Sequence, residues 1–144
     1  MIDRPARNKL AEEIRHFVAG LTDNFVFDNR IFAIQSQDAG VLQIRHEMWF
    51  IYDDFSRHKL KGPWSLSAQD KMIVSRCVLF LKSDIEYRWP NKQSVLHWLL
   101  NRLTFGFLAT FFENKWKARG SWEVWPFLTT QEFDAANRNP AYLN

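Results

Sequence analysis

Glu47, Asp54 and His58 stand at i, i+7 and i+11, a spacing that puts all three on one stripe of an α-helix. His46 and Asp53 add a second row beside it. Carboxylates with imidazole suit zinc, manganese or iron, and Asp54 with His58 at i, i+4 could chelate such an ion. A site needs three or four converging ligands, and one straight helix rarely offers more than two. The remaining imidazoles are His16 and His97. A charged face turned to water explains the same stripe with fewer demands. Phe50 falls among these residues on the helical wheel. Phe50, Asp53, Asp54, Arg57 and His58 are therefore candidates for a partner-binding face, and Glu47, Asp54 and His58 for a metal site.

A second group is Lys115-Trp116-Lys117-Ala118-Arg119-Gly120-Ser121-Trp122, with Trp125 close behind. Interleaved rings and cations suit a single nucleic-acid strand, a membrane surface or a protein hot spot. Trp116, Lys117, Arg119 and Trp122 are the candidate binding residues here. The simpler account has the Trp rings anchoring the tail to the core, with the basic residues favouring a helix C-terminus. Glu13 and His16 form an E-x-x-H pair, but di-iron bundles need two such pairs and two further carboxylates, and this pair has no second. Motifs for phosphate loops, dinucleotide binding, zinc proteases, paired cysteines, nucleophile elbows and EF-hands are missing from the chain. Nothing in it calls for a cofactor.

These residues must be held by something, and composition narrows what. The chain has 144 residues, enough for one domain with a core. It carries 13 Phe, 7 Trp and 3 Tyr, an aromatic load that fills a thick core or supplies an interface. With 5 Gly and 5 Pro it is poor in turn formers for a β protein. The net charge of +3 is mild, and the Lys and Arg residues are spread along the chain, so nucleic acid is not the favoured partner. Cys77 is the single cysteine, so no internal disulfide can form. Without a hydrophobic leader after Met1, a reducing cytoplasm is the expected location.

Hydrophobic periodicity predicts an all-α, single-domain, four-helix bundle-like fold. Its helices fall at about 4–21, 38–57, 67–89 and 92–118, with a short fifth at about 131–137. In the first, Asp3 caps and Leu10, Ile14, Phe17 and Leu21 form the stripe. Residues 24–37 are read as an ordered loop with at most a helical turn, a hairpin being the alternative. The second helix runs from Asp38 on the stripe Val41, Ile44, Met48, Ile51, Tyr52 and Phe55. Arg57 to Trp64 is a basic linker broken at Gly62-Pro63. Ser67 and Asp70 have capping-box spacing before the third helix, which Pro90 ends. The stretch from Val95 to Trp116 is apolar almost all round, yet Asn101 and Arg102 interrupt it, so a buried bundle helix is expected rather than a membrane span. Thr129 and Glu132 make a capping box for the last helix.

Six polar residues are expected inside the bundle: Arg45, Asp84, Arg88, His97, Asn101 and Arg102. Arg45 and Asp84 each sit on an apolar face, so a pair across the bundle, or with Arg88 or Arg102, is expected. Taken together, the chain reads as a small interaction protein that binds another protein, or a second copy of itself, through an exposed aromatic patch. The alternative is a metal-binding or metal-dependent bundle on the polar face of the second helix.

Overall fold

The computed structural model describes residues 1–89 and 120–140. Among them are five α-helices and no strand: α1 (Arg4–Val18), α2 (Asn24–Phe32), α3 (Ala39–Met48), α4 (Ala68–Lys82) and α5 (Thr130–Arg138). Short 3-10 turns occupy Trp49–Ile51, Gly62–Trp64 and Trp122–Val124. The chain is all-α and bundle-like: α1 packs on α4, α2 and α3, and α4 also meets α3 and α5. None of the described helices is long and apolar enough to cross a membrane. The expected helix at 92–118 lies outside the described residues, as do His97, Asn101 and Arg102.

Local chemistry explains the helix starts. The side chains of Asp3, Asp23, Asp38, Ser67 and Thr129 each accept a backbone N–H of the first turn they precede. Glu132 completes the last cap by accepting from Leu128 N at 3.0 Å. Asp70, one methylene shorter than Glu, instead accepts the Ser67 hydroxyl at 2.6 Å. The end of α1 is a Schellman turn, in which Gly20 N donates to Phe17 O and Leu21 N to His16 O. Gly20 takes a φ of +68° there, which a side chain would resist.

Three boundaries depart from the sequence expectation. Residues 24–32 form the helix α2, neither loop nor hairpin: Asp23 caps it, and Phe27 and Ile31 bury one side. The second expected helix stops at Met48 instead of running to 57. There Tyr52 swings into extended backbone, its ring lying edge-on to the stacked Phe17 and Phe27, 5.5 and 5.8 Å away. Its hydroxyl donates to Asp28 Oδ1 at 2.7 Å. Phe55, placed in the core by a continuous helix, is 95 % exposed as a result.

The third expected helix ends at Lys82, seven residues early, because α1 caps it. Arg4 donates to Leu81 O at 2.8 Å and to Ser83 O at 2.7 Å, and Arg7 to Ser83 O at 3.1 Å and Ile85 O at 2.9 Å. Those carbonyls would otherwise be open at the helix terminus. Beyond Ser83 the chain is extended: Asp84, Glu86 and Arg88 face water while Ile85 and Tyr87 are half-buried and Trp89 is buried.

The expected pair between Arg45 and Asp84 does not form. Arg45 donates to Ile34 O at 3.0 Å and lies over the Phe32 ring, while Asp84 is solvent-exposed and pairs with Arg4. Arg88 is likewise exposed and pairs with Glu132. Once α4 ends early, Asp84 and Arg88 leave the apolar face that the longer helix would have given them.

Arg7 and Asp38 form a buried ion pair, at 0 % and 2 % exposure. Asp38 Oδ2 accepts from Arg7 Nε at 2.6 Å and Asp3 N at 3.0 Å; Oδ1 accepts from Arg7 Nη2 at 3.1 Å and Gly40 N at 2.8 Å. Burial alone would push the carboxyl upward, but the Arg7 hydrogen bonds and charge, with the two backbone donors, hold it below its ordinary value.

Candidate functional site

The residues after α3 turn back over α2, and Asn24 holds them there. Asn24 is buried. Its Nδ2 donates to Asp53 O at 2.7 Å and Ser56 O at 2.9 Å, and its Oδ1 accepts from His58 N at 3.0 Å. Its own N–H donates to His58 O. One side chain thus fixes residues 53–58 against the first turn of α2, satisfying backbone groups that a loop leaves open.

Within that frame His58 is 7 % exposed and stacks on Trp64 with ring centroids 4.2 Å apart. Its Nδ1 lies 2.8 Å from Ser56 O. A carbonyl only accepts, so Nδ1 carries the proton. Its Nε2 is buried with no hydrogen-bond partner among the described residues. Leaving such a group unpaired costs about 1–3 kcal/mol.

His58 and Trp64 border a shallow pocket of about 300 Å³, shared with Phe50, Tyr52, Asp53 and Asp70. Asp53 Oδ1 accepts from Phe55 N at 2.6 Å, and Asp70 accepts the Ser67 hydroxyl. Neither carboxylate makes an ion pair among the described residues. Around the pocket the surface is aromatic. Phe50 is 71 % exposed, and Phe25, Phe32, Trp49 and Trp64 are partly exposed. Phe32 meets Trp49 edge-on at 6.2 Å, and Trp49 reaches Tyr52 at 6.2 Å. Arg57 lies over Phe25 and pairs with Asp23 at 3.8 Å, and Asp54 is exposed on the same loop.

The metal stripe is not assembled. Among the described residues no group of three His, Cys, Asp or Glu could hold an ion. Helix α3 ends at Met48, so Glu47 sits on the helix while Asp54 and His58 lie on the returning loop. Burial is the larger cause that raises the Tyr87 and Cys77 pKa values, and the Glu47 charge adds to it. Burial takes the Cys77 thiol far above its ordinary range and pushes Tyr87 up to about 12. Glu13 pairs with Arg30 at 3.3 Å.

Of the second candidate group, Trp116, Lys117 and Arg119 lie outside the described residues. Trp122 packs on Trp89 with the rings tilted and their centroids 4.9 Å apart, and the Trp89 indole donates to Pro126 O and Phe127 O, both at 3.1 Å. Trp122 thus helps tie the tail to the core. Asn24 and Trp64 escaped the sequence reading of the site: an Asn after Asp looks like a turn, and Trp64 follows a Gly-Pro breaker. The chain matches no family model, no characterised protein and no solved structure.

Proposed function

We propose that the chain is a small cytoplasmic interaction protein that binds another protein through the aromatic surface between Phe25 and Trp64. The observation that carries this reading is the exposure of Phe55 and Phe50, at 95 % and 71 %, together with the partial exposure of Phe25, Phe32, Trp49 and Trp64. Large exposed apolar patches mark interaction sites, two of the rings, Phe32 and Trp49, touch each other, and aromatic side chains dominate interface hot spots. The surface is also held in shape beforehand, by Asn24 beneath the loop and by ring contacts within it, which lowers the ordering cost of association. The lone thiol, Cys77, is free and buried, a state that a reducing compartment preserves.

The test is native mass spectrometry of the protein purified gently from its own cells, wild type beside the double variant Phe50→Ser, Phe55→Ser. The wild type is expected to carry a stoichiometric second polypeptide, or a second copy of itself. The double variant, with unchanged circular dichroism, is expected to lose it. A bare wild-type monomer, or a double variant that keeps the partner in full, overturns the reading.

A further inference from the structure

We propose that the pocket beside Trp64 receives a guanidinium group, the side chain of an arginine presented by the partner protein. The proposal rests on the interaction reading above and gives the partner's contact a chemistry. Three features of the pocket carry it.

The first is its polarity. Among the described residues no lysine or arginine lines the pocket. Two carboxylates do, Asp53 and Asp70, and neither makes an ion pair among the described residues. The Tyr52 hydroxyl is already spent as a donor to Asp28. The second feature is His58 on the pocket wall, nine-tenths buried, locked by Ser56 O through Nδ1, with Nε2 unpartnered among the described residues. A pocket with this surplus of acceptors asks for a ligand rich in N–H donors. Among the described residues these acceptors do not group as metal ligands.

The third feature is the ring set Phe50, Tyr52 and Trp64 along the same walls. A planar guanidinium can lie flat on a ring while its five N–H groups reach acceptors around its edge, which a compact ammonium cannot do. This chain already seats guanidinium groups that way, with Arg7 over Phe80, Arg45 over Phe32 and Arg57 over Phe25, at 5.0, 5.2 and 5.5 Å. A volume of about 300 Å³ is at the lower limit for ligand pockets, the scale of a single side chain.

The experiment titrates the folded protein with N-acetyl-arginine amide, N-acetyl-lysine amide and the neutral isostere N-acetyl-citrulline amide. Binding is read from the NMR signals of the Trp64 indole and the His58 ring. The arginine probe is expected to shift both saturably, and more tightly than the lysine probe, while citrulline leaves them unmoved. Asp53→Asn and Asp70→Asn are each expected to weaken the arginine probe about tenfold, the loss of one charge-assisted hydrogen bond. An equal response to citrulline overturns the proposal, as do preference for lysine and full retention of arginine binding by both Asn variants. The citrulline comparison uses the wild type alone, so it stands even if an Asn variant folds poorly. The two readings separate cleanly. A partner lost with Phe50→Ser, Phe55→Ser but kept with both Asn variants, with no arginine response, sinks the guanidinium site and leaves the interaction surface standing. Arginine binding in a protein that holds no partner sinks the interaction reading, and with it the partner's arginine.

Discussion

Arg7 and Asp38, 31 positions apart, form a buried two-point ion pair, with Nε on Oδ2 at 2.6 Å and Nη2 on Oδ1 at 3.1 Å. The remaining Nη of Arg7 reaches the carbonyls of Ser83 and Ile85. One guanidinium therefore joins α1, the start of α3 and the exit from α4. Removing it strands a buried carboxylate and opens the end of a helix.

Arg7→Met is accordingly expected to cost ~3–5 kcal/mol, the range for breaking a buried pair from one side. Urea unfolding of Arg7→Met, Asp38→Asn and the double variant measures it. The double variant should lose clearly less than the sum of the two. Additivity to within about 0.5 kcal/mol would mean that the two residues act independently.

Asp38 also sets a pH dependence. Its carboxyl titrates below the ordinary 3.8 in the folded chain, so the charged form is the one that folding favours. The stability it contributes is complete above the ordinary value and is lost as pH falls through the lowered one. Urea midpoints followed from about pH 6 to about pH 2 should drop more steeply in the wild type than in Asp38→Asn. Parallel curves would show that Asp38 carries no such linkage.

Gly40 sits inside the same clasp. A Cβ there would stand 2.9 Å from Phe80 Cε1, 3.1 Å from Asp38 Oδ1 and 3.2 Å from Arg7 Nη2. Gly40→Ala should gain from helix propensity but lose more to crowding, a net destabilisation of about 1–3 kcal/mol. A thermal midpoint at or above the wild-type value would mean that Phe80 and Arg7 yield freely.

Phe50 and Phe55 contribute little to the fold, being 71 % and 95 % exposed. Their replacement by Ser should change unfolding free energy by no more than about 0.5 kcal/mol each. A large loss would reveal that these rings are packed, and would remove the basis for reading them as an interface.

Cys77 should be silent. It is fully buried, and burial raises its thiol well beyond the ordinary range. A thiol reagent should react with the native protein only as fast as it opens, and at full speed in denaturant. Fast native labelling would contradict the burial.

Some of this was legible in the residues and some was not, and individual cases show why. Arg7 stands at i−3 and i−7 from Leu10 and Ile14, on the core face of α1, yet it was not among the polar residues expected inside. What it meets there, Asp38, is a residue that also reads as an ordinary helix cap. The alternation from Asp84 to Trp89, polar and apolar in turn, is the signature of extended chain. It was hidden because Ile85 also continues the helical stripe of α4. In residues 24–32 the rings and β-branched side chains favour strand, yet the Asp23 cap and the Phe27, Ile31 face decide for helix. For the site, Phe50, Asp53 and His58 were among the candidates and border one pocket, but on a turned-back loop rather than a helical stripe.

Local pattern settles the helical class, the starts of α1, α3, α4 and α5, and the apolar stripes of α1 and α4. These depend on interactions three or four residues apart, such as an Asp or Ser cap, a glycine in left-handed backbone, or Leu10 above Ile14. The tertiary structure alone decided where α3 and α4 stop, which charges are buried and how the candidate pocket is walled. Those outcomes follow from contacts of Tyr52 with Phe17, of Asn24 with residues 53–58, and of Arg4 and Arg7 with residues 81–85. Such partners lie 29 to 78 positions apart in the cited hydrogen bonds. Local propensity is a matter of tenths of a kcal/mol per residue, and satisfying buried backbone carbonyls and a buried guanidinium outweighs it.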